Sequence, residues 1–262
     1  MSARKYLAVF RITLANQWVY TADAVFRAAF LALIVQVYVQ LWTRALAGRG
    51  TVVGLSAREL VWYLVYTEAI MLAFPRFDDV ISEEVKTGEI AYRLLRPMSY
   101  LGFHLAAYLG EMSFRFVTNL AVGSAVVWLT MGPPPISLAN LPAILALTCG
   151  SMVLSFWMFM TLGLLAFWFE EVRPFFWIFH KLLFTVGGLL VPNDLFPGWL
   201  RTVADLLPFG SILYGPARLT VRWDAGLAAH TALTQVGWIA AIATFAHALF
   251  SRGVRRLDVQ GG

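Results

Sequence analysis

Between Leu141 and Phe169 the chain carries no charged residue. A run of that length exceeds the ~20 apolar residues that take a helix across a bilayer. Five further apolar runs centre on residues 28–42, 60–75, 116–131, 175–191 and 225–250. Hydrophobic residues make up 60% of the 262, where a soluble domain has about 45–50%. Mean hydropathy is +0.70. The expected fold is an all-α integral membrane protein: one domain over residues 1–262 with six transmembrane helices in a lipid bilayer.

The charges between the runs orient the chain. Six spans put both termini on one side. Taking that side as inner, the inner segments hold eleven basic residues: Arg4, Lys5, Arg11, Arg76, Lys86, Arg93, Arg96, Arg173, Arg252, Arg255 and Arg256. The outer segments hold six: Arg44, Arg49, Arg58, Arg201, Arg218 and Arg222. Basic residues concentrate on the cytoplasmic side, so both termini are expected there. The net charge of +5 follows from this bias. No basic cluster is interleaved with exposed aromatics, and no nucleic-acid partner is expected.

In residues 1–21, Leu7, Phe10, Leu14 and Trp18 share one helical face, flanked by Arg4 and Arg11. That pattern predicts a helix lying in the headgroup region with its basic side chains snorkelling. Arg11 interrupts any apolar core of a signal peptide, and no A-x-A-like cleavage site follows. Cys149 has no cysteine partner and reads as a buried, inert thiol. Segment 192–224 contains Pro192, Pro197 and Pro208 with Trp199. It reads as short helices dipping into the outer leaflet, with tryptophans at the interface.

The segment EEVKTGEIAYRLLRPMSY, residues 83–100, gathers Glu83, Glu84, Lys86, Glu89, Arg93 and Arg96 in a chain that is only 13% charged. Residues 80–97 read as a helix. Ser82 would cap it, and Glu83 and Glu84 would occupy the first turn. Arg93 and Arg96 fall in the last turn and Pro97 stops the run. Val85, Ile90, Leu94 and Leu95 supply apolar positions among the charges. Gly88 would cost ~1 kcal/mol inside a helix, so it marks a bend between two short pieces. The segment is expected to lie across the cytoplasmic face; a plain solvated connector is the other reading.

Three other polar sets stand out. Glu68 falls within the second run, where an ionisable residue points to function by default; a structural pair or a hydrogen-bonded protonated acid is the alternative. Glu111 and Arg115 have i, i+4 spacing and can pair on one face. Substrate contact is the other reading of that pair, and Arg115 is a possible partner for Glu68. Glu170, Glu171 and Arg173 cluster at the inner end of the fourth run and read either as a solvated helix end or as an inner gate. The four histidines lack metal-binding spacing, and G-x-S-x-G and G-x-x-x-x-G-K-[ST] are absent.

EEVKTGEIAYRLLRPMS resembles the first intracellular loop of ABC type-2 permeases, the membrane subunits of many ATP-driven exporters. The matching positions are Glu84, Gly88, Leu94, Leu95 and Pro97. VPNDLFPGWLRTVADLLPFGSILYGPARL is similar to that family's outer segment after the fifth helix, through Pro192, Asp194, Phe196, Pro197, Trp199 and Pro208. FWFEEVRPFFWI and the N-terminal RKYLAVFRITLANQWVYTADAVF resemble its six-helix branch. The resemblance implies a non-catalytic subunit whose loop, Glu83 to Pro97 with Tyr92 included, docks a cytoplasmic ABC ATPase dimer. Glu170, Glu171 and Arg173 become a second ATPase contact or a gate, and 192–224 caps the outer end of the path. ATP and Mg would be bound by the ATPase, with no cofactor in this chain. A second permease subunit, identical or homologous, would complete the path. The implied setting is a bacterial inner membrane. The implied cargo is an amphipathic or hydrophobic small molecule, peptide or lipid. A proton-coupled secondary transporter using Glu68 and an intramembrane lipid-modifying enzyme are the alternatives.

Overall fold

The computed structural model describes residues 3–19, 21–48 and 50–260. Arg49 of the charge count, and Met1, Ser2 and Tyr20 of the N-terminal segment, lie outside the described residues. In chain order the helices are α1 (Ala3–Asn16), α2 (Thr21–Ala45), α3 (Ala57–Met71), α4 (Phe77–Lys86), α5 (Glu89–Leu94), α6 (Tyr100–Met131), α7 (Leu141–Leu164), α8 (Arg173–Val186), α9 (Gly198–Leu206), α10 (Phe209–Ile212), α11 (Tyr214–Val221) and α12 (Ala225–Gln260). A two-stranded antiparallel hairpin, Thr51–Val52 with Leu55–Ser56, interrupts the helical pattern before α3. Its turn places Val53 and Gly54 at positive φ.

Among the described residues, four helices are long and apolar enough to cross a membrane: Asp23–Ala45, Tyr100–Met131, Leu138–Phe167 and Ala225–Arg256. The second and fifth apolar runs form shorter helices. With 15 residues in α3 and 14 in α8, they extend about 22 and 21 Å at 1.5 Å per residue, against a hydrocarbon core of ~30 Å. Helix α3 is enclosed by α2, α6 and α11, and every residue from Leu60 to Ile70 is buried. Irregular backbone at its ends is therefore covered by protein, the condition under which it is tolerated at membrane depth. Its start is fixed locally by a capping box: the Ser56 hydroxyl accepts from Glu59 N–H and Glu59 Oε2 accepts from Ser56 N–H.

Two expectations are corrected. Helix α1 packs lengthwise on α6, where a Cβ on Gly102 would meet the Tyr6 ring at 2.8 Å and one on Gly110 would meet the Phe10 carbonyl at 2.6 Å. This close approach turns Tyr6, Phe10 and Leu14 inward and leaves Leu7 and Trp18 exposed, so the predicted apolar face is split. Cys149 is exposed, not buried, because α7 turns its Leu147, Thr148 and Ser151 side inward.

The segment predicted as outer helices folds back into the body. All of α10, and all of α11 except the half-buried Arg218, is buried. Gln235 Nε2 of α12 reaches the Ser211 carbonyl at 2.8 Å, the Leu147 carbonyl at 2.9 Å and Ser151 Oγ at 3.1 Å. Gly150 permits this approach, since a Cβ there would collide with the Gln235 amide. Tyr63 and Thr67 of α3 donate to the Gly188 and Leu189 carbonyls, satisfying backbone just beyond α8.

Candidate functional site

Helices α4 and α5 form an elbow at one end of the bundle. The bend predicted at Gly88 is present: its φ of +75° is left-handed, the conformation glycine supplies at a helix end. The predicted start is corrected. Helix α4 begins at Phe77, so Ser82, Glu83 and Glu84 lie inside it and Ser82 is not a cap. Phe77 and Ile81 have helical spacing and are buried, which extends the helix back to Phe77. Ile81 packs against Gly163 of α7, where a Cβ would meet it at 2.8 Å.

The elbow has an inner and an outer face. Glu84 is 4% exposed. The Tyr100 hydroxyl donates to its Oε2 at 2.7 Å, and His104 Nε2 lies 3.2 Å from the same oxygen. Arg93 Nε of α5 stands 3.0 Å from Oε1 as an ion contact without hydrogen-bond alignment. Burial alone would raise the Glu84 carboxyl, but the contacts from His104 and Tyr100 and the Arg93 charge outweigh it and hold it below the ordinary carboxylate range. Arg93 also pairs with Glu89 at 3.1 Å and lies over the Phe103 ring. The Tyr100 ring stacks on Phe250 of α12, with centroids 5.2 Å apart. One carboxylate thus ties α4, α5 and α6 together and, through Tyr100, reaches α12.

The outer face carries Glu83, Lys86, Glu89, Tyr92, Leu94, Leu95, Arg96 and Pro97, all exposed. Tyr92 is 75% and Leu95 82% exposed, two apolar groups one turn apart in a charged rim. Helix α1 clasps the end of this segment: Lys5 Nζ donates to the Pro97 carbonyl, and Ser99 N–H donates to the Tyr6 hydroxyl at 3.1 Å. Glu170, Glu171 and Arg173 are exposed in the α7–α8 turn. Glu171 Oε1 accepts from Arg173 N–H at 3.1 Å. The residues leading into this turn, 165–167, pack against α4, so both exposed charged sets share one end of the bundle.

The polar residues expected within the spans separate into two sites. Glu111 and Arg115 pair, and Arg115 also donates to the Phe74 carbonyl at 3.2 Å and lies 3.9 Å from Asp23 of α2. Arg115 therefore does not serve Glu68. Glu68 is 4% exposed, and its carboxyl makes no hydrogen bond or ion pair among the described residues. Tyr38 of α2 lies within range of its charge.

At the opposite end, Asp194 binds Arg218 Nε at 2.9 Å and Arg201 at 3.8 Å. Arg222 pairs with Glu59 at 3.0 Å, joining the end of α11 to the start of α3. Pro192 and Pro208 are buried and Phe196 half-buried, while Pro197 and Trp199 are exposed. Sequence reasoning missed Tyr100, His104 and Gln235. The first two are polar at i, i+4 immediately after the charged segment, a spacing that marks one helix face.

Among curated proteins no match is found. The family model described as ABC-2 family transporter protein matches residues 31–261, from within α2 through α12. With its spanning helices and almost complete family match, the chain belongs to the ABC-2 transporter family and is a multi-pass membrane permease of an ABC transporter.

Proposed function

We propose that this permease docks a separate cytoplasmic ABC ATPase through the elbow at 80–97 and forms half of an export path. The observation that carries the reading is the division of the elbow into two faces. Glu84 and Arg93 bind it to α6, while Tyr92 and Leu95 project into solvent within a rim of Glu83, Lys86, Glu89 and Arg96. An exposed apolar pair ringed by charge suits a protein interface, with the rim charges steering docking and fixing register. Glu170, Glu171 and Arg173 at the same end supply a second contact. ATP and Mg bind in the ATPase, whose closure moves the elbow and, through Glu84 and Tyr100, the spans.

This reading takes α3 and α8 as the second and fifth of six spans, with both termini cytoplasmic in a bacterial inner membrane. A second permease subunit, identical or homologous, is supported by Lys181. It is exposed on α8 beside Trp177, and an ammonium at membrane depth faces protein or an aqueous path far more readily than lipid. An apolar groove of about 350 Å³ between α7, α8 and α12, lined by Phe179, Trp238 and Phe245, supports a hydrophobic or amphipathic cargo. The 192–224 segment closes the outer end.

The test is affinity purification of the full chain from its native host, with the co-purifying ABC ATPase identified and its activity measured. Tyr92→Ala with Leu95→Ala is expected to remove the ATPase while the permease stays folded. Undiminished ATPase stoichiometry and activity with that double variant would sink the docking assignment.

A further inference from the structure

An apolar cavity of about 160 Å³ lies toward the end of α6 far from the elbow, between α3, α6, α7 and the turn at Pro134–Ile136. Trp62, Tyr66 and Phe116 form its aromatic wall, and Leu145, 50% exposed, stands at its mouth on α7. Tyr66 and Phe116 meet edge to face, with ring centroids 5.6 Å apart. Among the described residues no charged one lines the cavity. Apolar cavities of about 150 Å³ stay dry and take up a single benzene-sized ring. Edge-to-face and offset packing favour an aromatic occupant over an alkyl one of equal area.

The polar side-chain atoms of the wall are closed to an occupant, with one exception. The Trp62 indole Nε1 is sealed from the cavity. The Tyr66 hydroxyl is bonded to Thr148, whose own Oγ1 donates to the Ile144 carbonyl at 2.7 Å. Thr220 Oγ1 donates to the Ala217 carbonyl at 2.7 Å. The exception is Ser124 of α6. Thr118 and Thr130 on the same helix turn their hydroxyls back to carbonyls of the preceding turn, the usual habit of Ser and Thr inside helices. Ser124 lines the cavity and makes no hydrogen bond among the described residues. It is half-buried, and its Oγ is not among the sealed atoms. A water needs two to four polar partners, more than this wall leaves open. An occupant therefore needs an uncharged aromatic body and one hydrogen-bonding group at Ser124.

We propose that this cavity binds a small neutral phenol, its ring against Trp62, Tyr66 and Phe116 and its hydroxyl hydrogen-bonded to Ser124 Oγ. The site lies within one chain and is independent of ATPase docking. The end of an acyl chain would fill the same space without engaging Ser124. A charged ring would give up its hydration to a wall that offers no counter-charge.

The test is photolabelling of the detergent-purified full chain with a diazirine-bearing phenol and with the same diazirine carried on toluene, the labelled residues being mapped by peptide mass spectrometry. Both probes are expected to label the cavity wall. Ser124→Ala is expected to lower labelling there by the phenol about fivefold, the worth of one neutral hydrogen bond, and to leave labelling by the toluene probe within about twofold. Leu145→Trp, which fills the mouth, is expected to suppress both. No label on the cavity wall, equal loss of both probes in Ser124→Ala, or phenol labelling unchanged by that substitution would overturn the proposal; the last is the signature of an acyl-chain pocket. Should Ser124→Ala fail to fold, Leu145→Trp decides, and phenol labelling of the wall that survives it would overturn the proposal.

Discussion

The Tyr100 hydroxyl donates to Glu84 Oε2 at 2.7 Å, so a carboxylate of the charged elbow is spent on holding α4 to α6. Glu84→Ala leaves Arg93 and the Tyr100 hydroxyl facing an emptied buried site. Breaking such a pair from one side costs about 3 kcal/mol. Glu83→Ala, one residue away on the exposed face, is expected to change stability by less than about 0.5 kcal/mol. Denaturant melts of the detergent-purified chain measure both. Equal effects at the two positions would deny Glu84 its anchoring role.

The same contact gives the elbow a pH dependence. Glu84 titrates below the ordinary carboxylate value of 4.5 in the folded chain. A depressed carboxylate contributes stability that is complete above the unfolded value and is lost as pH falls through the folded one. The stability difference between the native chain and Glu84→Gln is thus expected to be constant near neutrality and to shrink below about pH 4.5, the ordinary value. Thermal midpoints of the two proteins across pH 3 to 7 check the sign. A difference that grew on acidification would contradict it.

Gly88 is a purely conformational requirement. A Cβ there meets nothing within 4 Å, yet φ is +75°. Gly88→Ala is expected to cost about 1–2 kcal/mol from the left-handed backbone alone, and Gly88→Asn less, since asparagine tolerates that region. Stability of the two variants against the native chain tests this ordering. Equal values for Ala and Asn would mean that φ is not the constraint.

Gly150 is the steric counterpart. A Cβ there collides with the Gln235 amide, which joins α12 to α7 and to the buried α10. Gly150→Ala is expected to destabilise the chain by about 1–3 kcal/mol, the usual cost of overpacking. In a Gln235→Ala background the obstruction is gone, so the two substitutions should couple by about 1 kcal/mol or more. Additive effects in the double-mutant cycle would rule out this contact as the reason for glycine.

What could be read ahead of the structure was local. The bend at Gly88 and the Glu111–Arg115 pair depend on spacing within a single helix or turn, and both are present. The hydrogen-bond partners of Glu84 are 16 and 20 residues away, and Gln235 finds Leu147 at a separation of 88. No periodicity announces such pairs. Ser82 made a plausible cap because the charged run begins there, but burial of Phe77 and Ile81 against the bundle pulled the helix start earlier. The length of α3 was hidden for the same reason: a helix shielded by protein is not required to satisfy the bilayer thickness alone.

Glu68 separates ATP-driven transport from the proton-coupled alternative. It is buried on α3 without a hydrogen-bond or ion-pair partner among the described residues, the setting in which an intramembrane acid carries function by default. If the elbow couples the chain to an ATPase, Glu68→Gln keeps the shape and the amide stays uncharged, so ATP-dependent uptake of a hydrophobic dye into inside-out vesicles should stay within about threefold of the native level, less than 1 kcal/mol of barrier. A protonophore should leave that uptake unchanged. Uptake that survives ATP removal but collapses with the protonophore and in Glu68→Gln would transfer the driving role from the elbow to this carboxyl. The two outcomes exclude each other, because in the proposed reading an ATP-driven cycle is coupled through the elbow, whereas a proton cycle must pass through a buried acid such as Glu68.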